Sequence, residues 1–164
     1  SLRYFNAAGA TSRHYERHDP ETHLIPIVLQ AAAGLRPDVT ILGTDYPTPD
    51  GTGVRDYIHV EDLADAHLKA LAYLRRGGES TTLNCGYGRG YSVRDVLAMV
   101  ENIAGHPIAK KEEPRRAGDP PTLIARAARI RATLGWRPRH DDLAEIVTTA
   151  LEWERKLAAG HWRS

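Results

Sequence analysis

The chain has 164 residues, 41% of them hydrophobic and 26% charged, which suits one soluble globular domain and excludes collagen-like and disordered classes. A net charge of +1 gives no overall case for nucleic acid or a membrane surface, and no apolar run nears the about 20 residues of a membrane span. Cys85 is the single cysteine, so no intrachain disulfide can form, and with no signal-peptide pattern at Ser1-Leu2-Arg3 a cytoplasmic setting is expected.

In chain order, residues 2–5 read as a strand that opens the chain with nothing before it, so upstream sequence is expected. Residues 6–20 read as irregular. A helix is predicted over 23–33: Leu24, Ile27, Val28 and Ala31 recur at helical spacing, Pro26 suits the first turn, and Gly34 stops it. Residues 39–42 form a short strand. Residues 45–53 are a turn-rich loop, and 56–60 a strand. Asp62 is expected to cap or charge a helix that runs to about Arg76, with Leu63, Ala66, Ala70, Leu71 and Leu74 as its apolar face. Residues 81–85 are a strand. Ser92, with Asp95 three residues on, opens a helix over 92–104 in a capping-box pattern, stopped by Gly105. A brief strand at 108–110, a proline-bracketed loop at 114–121, a short helix at 127–134 and a long one at about 141–158 follow, with a frayed tail after Gly160. Strands and helices alternate, so the class is α/β, in one domain.

Two segments carry chemistry. In Asp50-Gly51-Thr52-Gly53-Val54-Arg55-Asp56-Tyr57, a tight turn delivers an arginine, whose planar fork of donors suits two phosphate oxygens. In Pro114-Arg115-Arg116-Ala117-Gly118-Asp119-Pro120-Pro121, prolines stiffen a loop holding two arginines and a carboxylate. That set could meet a diphosphate and a ribose. Residues 106–140 hold nine Lys/Arg against three Asp/Glu, which favours a nearby anion, although on charge alone a solvated basic face is the simpler reading. No aromatic platform is interleaved there, so nucleic acid is not expected. Gly86-Tyr87-Gly88-Arg89-Gly90 has the wrong spacing for a dinucleotide loop. His14 and His18 lack a third ligand, so no metal site is expected; His67 reads as a satisfied, partly buried histidine and Cys85 as inert packing. From chemistry alone the reading stops at an α/β domain that binds a phosphate-bearing ligand.

Several segments, in order, resemble the UDP-glucose 4-epimerases of the extended short-chain dehydrogenase/reductase superfamily. They are Arg3-Tyr4-Phe5-Asn6-Ala7-Ala8-Gly9-Ala10, Thr22-His23-Leu24-Ile25-Pro26, Gly43-Thr44-Asp45-Tyr46-Pro47-Thr48, Arg55-Asp56-Tyr57-Ile58-His59-Val60, Asp62-Leu63-Ala64, Arg115-Arg116-Ala117-Gly118-Asp119-Pro120 and Leu134-Gly135-Trp136. The resemblance runs from Leu2 to about Lys156. It implies a late strand of a Rossmann sheet followed by most of the smaller, mixed α/β substrate domain. Residues 1–164 would then form one UDP-sugar-binding region, with the N-terminal NAD-binding part upstream.

The resemblance implies these roles. Asn6 bonds a substrate phosphate, and Tyr4 lies near the NAD. The helix start at His23 and Leu24 meets the diphosphate with backbone amides. Thr40 and Leu42 flank the uracil, with Val93 at the same end. Arg55 and Arg116 clamp the diphosphate, Tyr57 supports that site, and Asp119 holds the ribose. Leu123 falls where the family lines the sugar pocket. The family commonly has Ala-Asp where this chain has Ala125-Arg126. The catalytic serine and Tyr-x-x-x-Lys pair are expected upstream, since no Tyr-x-x-x-Lys occurs here and no catalytic residue is assigned. The implied function is that of an isomerase that inverts C4 of the sugar by transient NAD-dependent oxidation, with a homodimer possible in the whole protein. The chain alone would be inactive. A related nucleotide-sugar dehydratase, decarboxylase or epimerase, and a non-catalytic binding module, are the alternatives.

Overall fold

A computed structural model describes residues 1–14 and 18–159 of the chain. Its strands are β1 (Leu2–Tyr4), β2 (Asn6–Ala8), β3 (Val39–Leu42), β4 (Val54–Arg55), β5 (Tyr57–His59), β6 (Leu83–Cys85), β7 (Tyr91–Ser92), β8 (Lys110–Glu113) and β9 (Thr122–Leu123). Its helices are α1 (Leu24–Ala32), α2 (Val60–Arg75), α3 (Val93–Ala104), α4 (Ala128–Leu134) and α5 (Leu143–Ala158). The strands pair as β1–β6, β2–β5, β3–β8 and β4–β9, all parallel, while β4 and β7 run antiparallel. Parallel neighbours need long crossovers, and the helices and loops between them supply these. The class is mixed α/β, as expected.

Helices α1, α3 and α5 pack on one another. They bury Ile25, Val28 and Leu29 against Val96, Leu97 and Val100, and against Ile146, Val147 and Leu151. On α1 the buried face is turned from the one expected: Ile25, Val28 and Leu29 are buried, while Leu24, Ile27 and Ala31 are only partly so. Trp136, fully buried, closes the core near α4 and stacks on Tyr87 with ring centroids 6.5 Å apart. The capping box at Ser92 is complete: its Oγ accepts the Asp95 amide at 2.9 Å, and the Asp95 carboxylate accepts the Ser92 amide at 2.8 Å. Gly105 then ends α3 in the left-handed region, with φ of 80°.

Several expected elements differ. Asn6–Ala8, read as irregular, forms β2. Its alanines carry little intrinsic strand preference, and β5, some fifty residues on, supplies the ladder. The strand expected at 56–60 is trimmed to Tyr57–His59: Asp56 lies between β4 and β5 with its carboxylate turned inward, and Val60 already belongs to α2. The strand expected at 108–110 is displaced to Lys110–Glu113, because the Ile108 amide is held by the Glu101 carboxylate at 2.8 Å. Asp62 lies in the first turn of α2, where a charge was expected, but it does not cap the helix. The His59 ring does, accepting the Glu61 amide at 3.2 Å, while Asp62 is buried and bonded elsewhere. Of the apolar face expected on α2, Ala66 is buried, whereas Leu71 and Leu74 are 46% and 53% exposed. His67 is also exposed, its Nδ1 2.8 Å from the Leu63 carbonyl. The frayed tail expected after Gly160 lies outside the described residues. No helix among the described residues is long and apolar enough to cross a membrane.

The Ser92 hydroxyl also donates to Asp50, so one side chain caps α3 and anchors the loop before β4. Ser92→Ala is expected to cost about 1–2 kcal/mol, read as a lower denaturant midpoint with an unchanged slope.

Candidate functional site

The site is built where two small sheets are joined by one loop. β4 is the central strand of the order β7-β4-β9, and it sets Arg55 opposite Tyr91 on one side and Leu123 on the other. The Arg55 guanidinium is half-buried and donates to the Val54 carbonyl at 2.9 Å. In the other sheet, Thr40 and Leu42 lie opposite Lys111 and Glu113. Residues 114–121 run from β8 to β9. The loop is pinned at both ends, with the Gly43 amide on the Glu113 carbonyl and the Val54 amide on the Pro121 carbonyl, each at 2.8 Å.

Within that loop the two arginines differ. Arg115 is engaged: its Nε donates to Asp45 at 2.6 Å, a second nitrogen donates to the Asp45 carbonyl, and its guanidinium lies 4.4 Å from the centre of the Tyr46 ring. The hydrogen bond from Arg115 holds the Asp45 carboxyl below its ordinary value. Gly43 makes this packing possible, since a Cβ there would lie 2.6 Å from the Tyr46 ring and 2.7 Å from Arg115, at a φ of 89°. Arg116 is exposed and Asp119 half-buried, and neither side chain makes a hydrogen bond or ion pair among the described residues. The Asp119 amide bonds the Arg116 carbonyl at 3.3 Å, closing a turn that presents both.

Beneath the loop lie two buried carboxylates. Asp56 accepts the amides of Tyr87, Gly88 and Ala125 at 2.9, 2.8 and 3.1 Å. The glycine-rich segment at 86–90 is therefore an anion cradle whose anion is the chain's own. A Cβ at Gly86 would come within 2.8 Å of that carboxylate, which explains the glycine without a cofactor. Asp62 accepts the Tyr87 hydroxyl at 2.7 Å and the amides of Arg139 and His140 at 2.9 Å each, while its carbonyl takes the Trp136 indole N–H at 3.1 Å. Burial, then the bond to Asp62, raises the Tyr87 phenol well above its usual range. His59, almost wholly buried, is held below the ordinary histidine value by burial and then by nearby His140. Its Nδ1 accepts the Glu61 amide, so Nε2 carries the proton and faces Thr149 Oγ1 at 3.2 Å.

The remaining expected site residues are spread around this frame. Asn6 is exposed on β2, in register with Tyr57. Tyr57 is buried, and burial drives its phenol far above the usual value. Val93 follows the α3 cap, its amide on the Gly53 carbonyl at 3.1 Å. At the α1 start, Glu21 accepts the amides of Thr22 and His23, and lies 2.8 Å from His23 Nδ1. A carboxylate of the chain thus sits at the helix end where an anion was expected, and α1 has no side-chain cap. Tyr4 is 57% exposed, its ring 6.4 Å from that of His67. The basic excess read over 106–140 is smaller in space: Lys110, Lys111 and Arg115 pair with Glu101, Asp38 and Asp45, all outside the segment. Sequence reasoning missed the structural duties of Asp56, Asp62 and Tyr87, because their partners are backbone amides distant in the chain. It also missed a cluster of His59, Glu61 and His140.

Asp56→Asn is expected to destabilise by about 2 kcal/mol or more, because one oxygen cannot serve three buried amides, and the loss is checked by thermal unfolding. Cys85 is fully buried and its thiol is pushed up to about 12, so at pH 8 a thiol reagent should label it only on unfolding.

The description of the NAD dependent epimerase/dehydratase family matches residues 1–86. A UDP-glucose 4-epimerase of Azospirillum brasilense is 56% identical over 158 residues, which is 95% of this chain and 45% of that protein. A solved UDP-glucose-4-epimerase from Stenotrophomonas maltophila, with bound NAD and formylated UDP-arabinopyranose, superposes with a TM-score of 0.91 at 42% identity, over 97% of this chain and 48% of that one. One from Bifidobacterium longum, in complex with NAD+ and UDP, gives 0.87 at 37% identity, over 97% and 48%. The chain spans about half the length of the curated relatives it matches. With more than half its residues under the family description, and an order of elements shared with these enzymes, the chain belongs to the NAD dependent epimerase/dehydratase family.

Proposed function

We propose that residues 1–164 are the UDP-sugar-binding part of a UDP-glucose 4-epimerase, an isomerase that inverts C4 of the hexose through a transient 4-keto sugar. The observation that carries this is the division of labour in the 114–121 loop. Arg115 braces the loop through Asp45 and Tyr46, so Arg116 and Asp119 are presented with no partner of their own among the described residues. A positioned cation next to a positioned carboxylate fits a diphosphate beside a ribose, and Arg55 adds a second guanidinium one strand away. Thr40 and Leu42 flank the base, with Val93 at that end. Leu123, 45% exposed and in register with Arg55, borders the sugar. Asn6 and the α1 start at His23 and Leu24 reach the phosphates, Glu21 giving up its place to them, and Tyr57 supports the strand behind.

NAD, when bound, supplies reversible hydride acceptance at the sugar carbon. The residues here fit no more than a peripheral share in holding it. The segment at 86–90 already cradles Asp56, and the open Tyr4 ring is the contact surface the chain offers. The acid–base pair and most of the cofactor's contacts then belong to the remainder of the longer polypeptide. Exposed Leu68, Leu71 and Leu74 on α2 are apolar surface that such a remainder would cover. This chain's own contribution is grip. Held at the diphosphate and ribose, the substrate keeps its hexose free to turn over between the two hydride transfers, so binding energy far from the reacting carbon positions it.

In the complete protein, Arg116→Ala is expected to weaken UDP by about 10-fold or more in calorimetry and to raise KM for UDP-galactose, whereas Arg115→Ala lowers thermal stability first. Unchanged UDP affinity in Arg116→Ala would remove the site. Conversion of another nucleotide sugar in preference to UDP-galactose would assign a related enzyme of the fold, and UDP binding without turnover a binding module.

A further inference from the structure

Three side chains outside the proposed sugar site meet where β5 runs into α2 and the chain approaches α5. His59, Glu61 and His140 each offer a ligand atom, all within 4.8 Å of one another. The two imidazoles lie almost parallel, 29° apart, with centroids separated by 4.8 Å. Each ring is oriented through the nitrogen facing away from the cluster. His140 Nδ1 is 2.6 Å from Glu145 Oε1, and His59 Nε2 faces Thr149 Oγ1 at 3.2 Å. Thr149 is itself fixed, donating to the Ile146 carbonyl at 3.0 Å. A proton on each of those outer nitrogens leaves a lone pair on each inner one.

The inner side therefore collects acceptors. His140 Nε2 is 3.2 Å from Glu61 Oε2, so with Glu145 holding the Nδ1 proton a neutral imidazole would set a lone pair against a carboxylate. His59 Nδ1 adds another lone pair, met by the Glu61 amide at 3.2 Å. Something positive belongs between them. A hydrogen bond from His140 would satisfy Glu61, and the His59 Nδ1 already accepts the Glu61 amide. A transition-metal cation would engage all three side chains by taking the His59 Nδ1 lone pair in place of that amide, and the Glu145–His140 pair is the usual outer-sphere arrangement for a metal-bound histidine.

We propose that His59, Glu61 and His140 form a binding site for a Zn2+-class divalent cation, with Glu145 and Thr149 orienting the two imidazoles and water completing the coordination. Two neutral imidazoles and one carboxylate suit borderline metals over Mg2+ or Ca2+, which prefer all-oxygen shells. Ligands about 2.1 Å from a tetrahedral ion lie about 3.4 Å apart, so the widest separation closes by up to about 1.4 Å. His59 is almost wholly buried, so the movement falls to the partly exposed Glu61 and His140 side chains. The bound ion would clip the first turn of α2 to the segment that leads into α5, as a structural or regulatory site distinct from the chemistry proposed above.

The test uses the complete, tag-free protein after dialysis against a chelator, titrated with Zn2+ by calorimetry and with Co2+ by visible absorption. One equivalent is expected per chain, with a Co2+ spectrum of mixed nitrogen and oxygen ligation. Glu61→Gln and His140→Ala should each weaken Zn2+ at least about 10-fold, and Glu145→Gln about 10-fold or more through the oriented ring. All three should keep the UDP affinity and the metal-free melting temperature within about 3 °C of the parent, which shows that they fold. No stoichiometric binding, or binding unaltered in both Glu61→Gln and His140→Ala, would overturn the site and leave His140 as a hydrogen-bonded link between Glu61 and Glu145. Because the readout is metal affinity, failure of the sugar-nucleotide reading would not affect it.

Discussion

Two buried carboxylates hold this structure together. Asp56 and Asp62 sit six residues apart, and each serves backbone amides supplied by segments far away in the chain. A buried carboxylate is tolerated only when its oxygens are filled, and here each accepts three hydrogen bonds. Tyr87 ties the two networks: its amide bonds Asp56, its hydroxyl bonds Asp62, and the same hydroxyl accepts the His59 amide at 2.9 Å. Removing any one member leaves the others buried and short of partners, so the group acts as a unit.

That unit also positions the candidate site. Asp56 interrupts what would otherwise be one strand, so that β4 joins the three-stranded sheet while β5 pairs with β2. Arg55 and Tyr57, on either side of it, therefore belong to different sheets. The Ala125 amide on Asp56 places β9 and the end of the 114–121 loop beside Arg55. Stability of the core and placement of the arginines thus rest on the same carboxylate.

The local features were legible in the sequence because their causes are local. Ser92 and Asp95 announced a helix start and Gly105 its end. The stiff loop at 114–121 was readable from its prolines, and its two arginines from their pattern. Which arginine is free was not readable. That depends on Asp45 and Tyr46, seventy residues away, which take Arg115 and not Arg116. The glycine-rich segment at 86–90 could be excluded as a dinucleotide loop by spacing, but its real partner, Asp56, could not be named.

By itself the sequence determined the α/β class, the helix limits set by caps and glycines, and, through ordered motifs, the family to which the chain belongs. Periodicity and capping act within a few residues, so they survive in a string of letters. The tertiary structure alone decided that Asn6–Ala8 is a strand, that Asp62 is a buried hub and not a cap, that much of the basic excess is neutralised, and that His59 and His140 stack beside Glu61. Each of these depends on a partner tens of residues away, and pairing at that range is set by how the core closes, which no local pattern encodes.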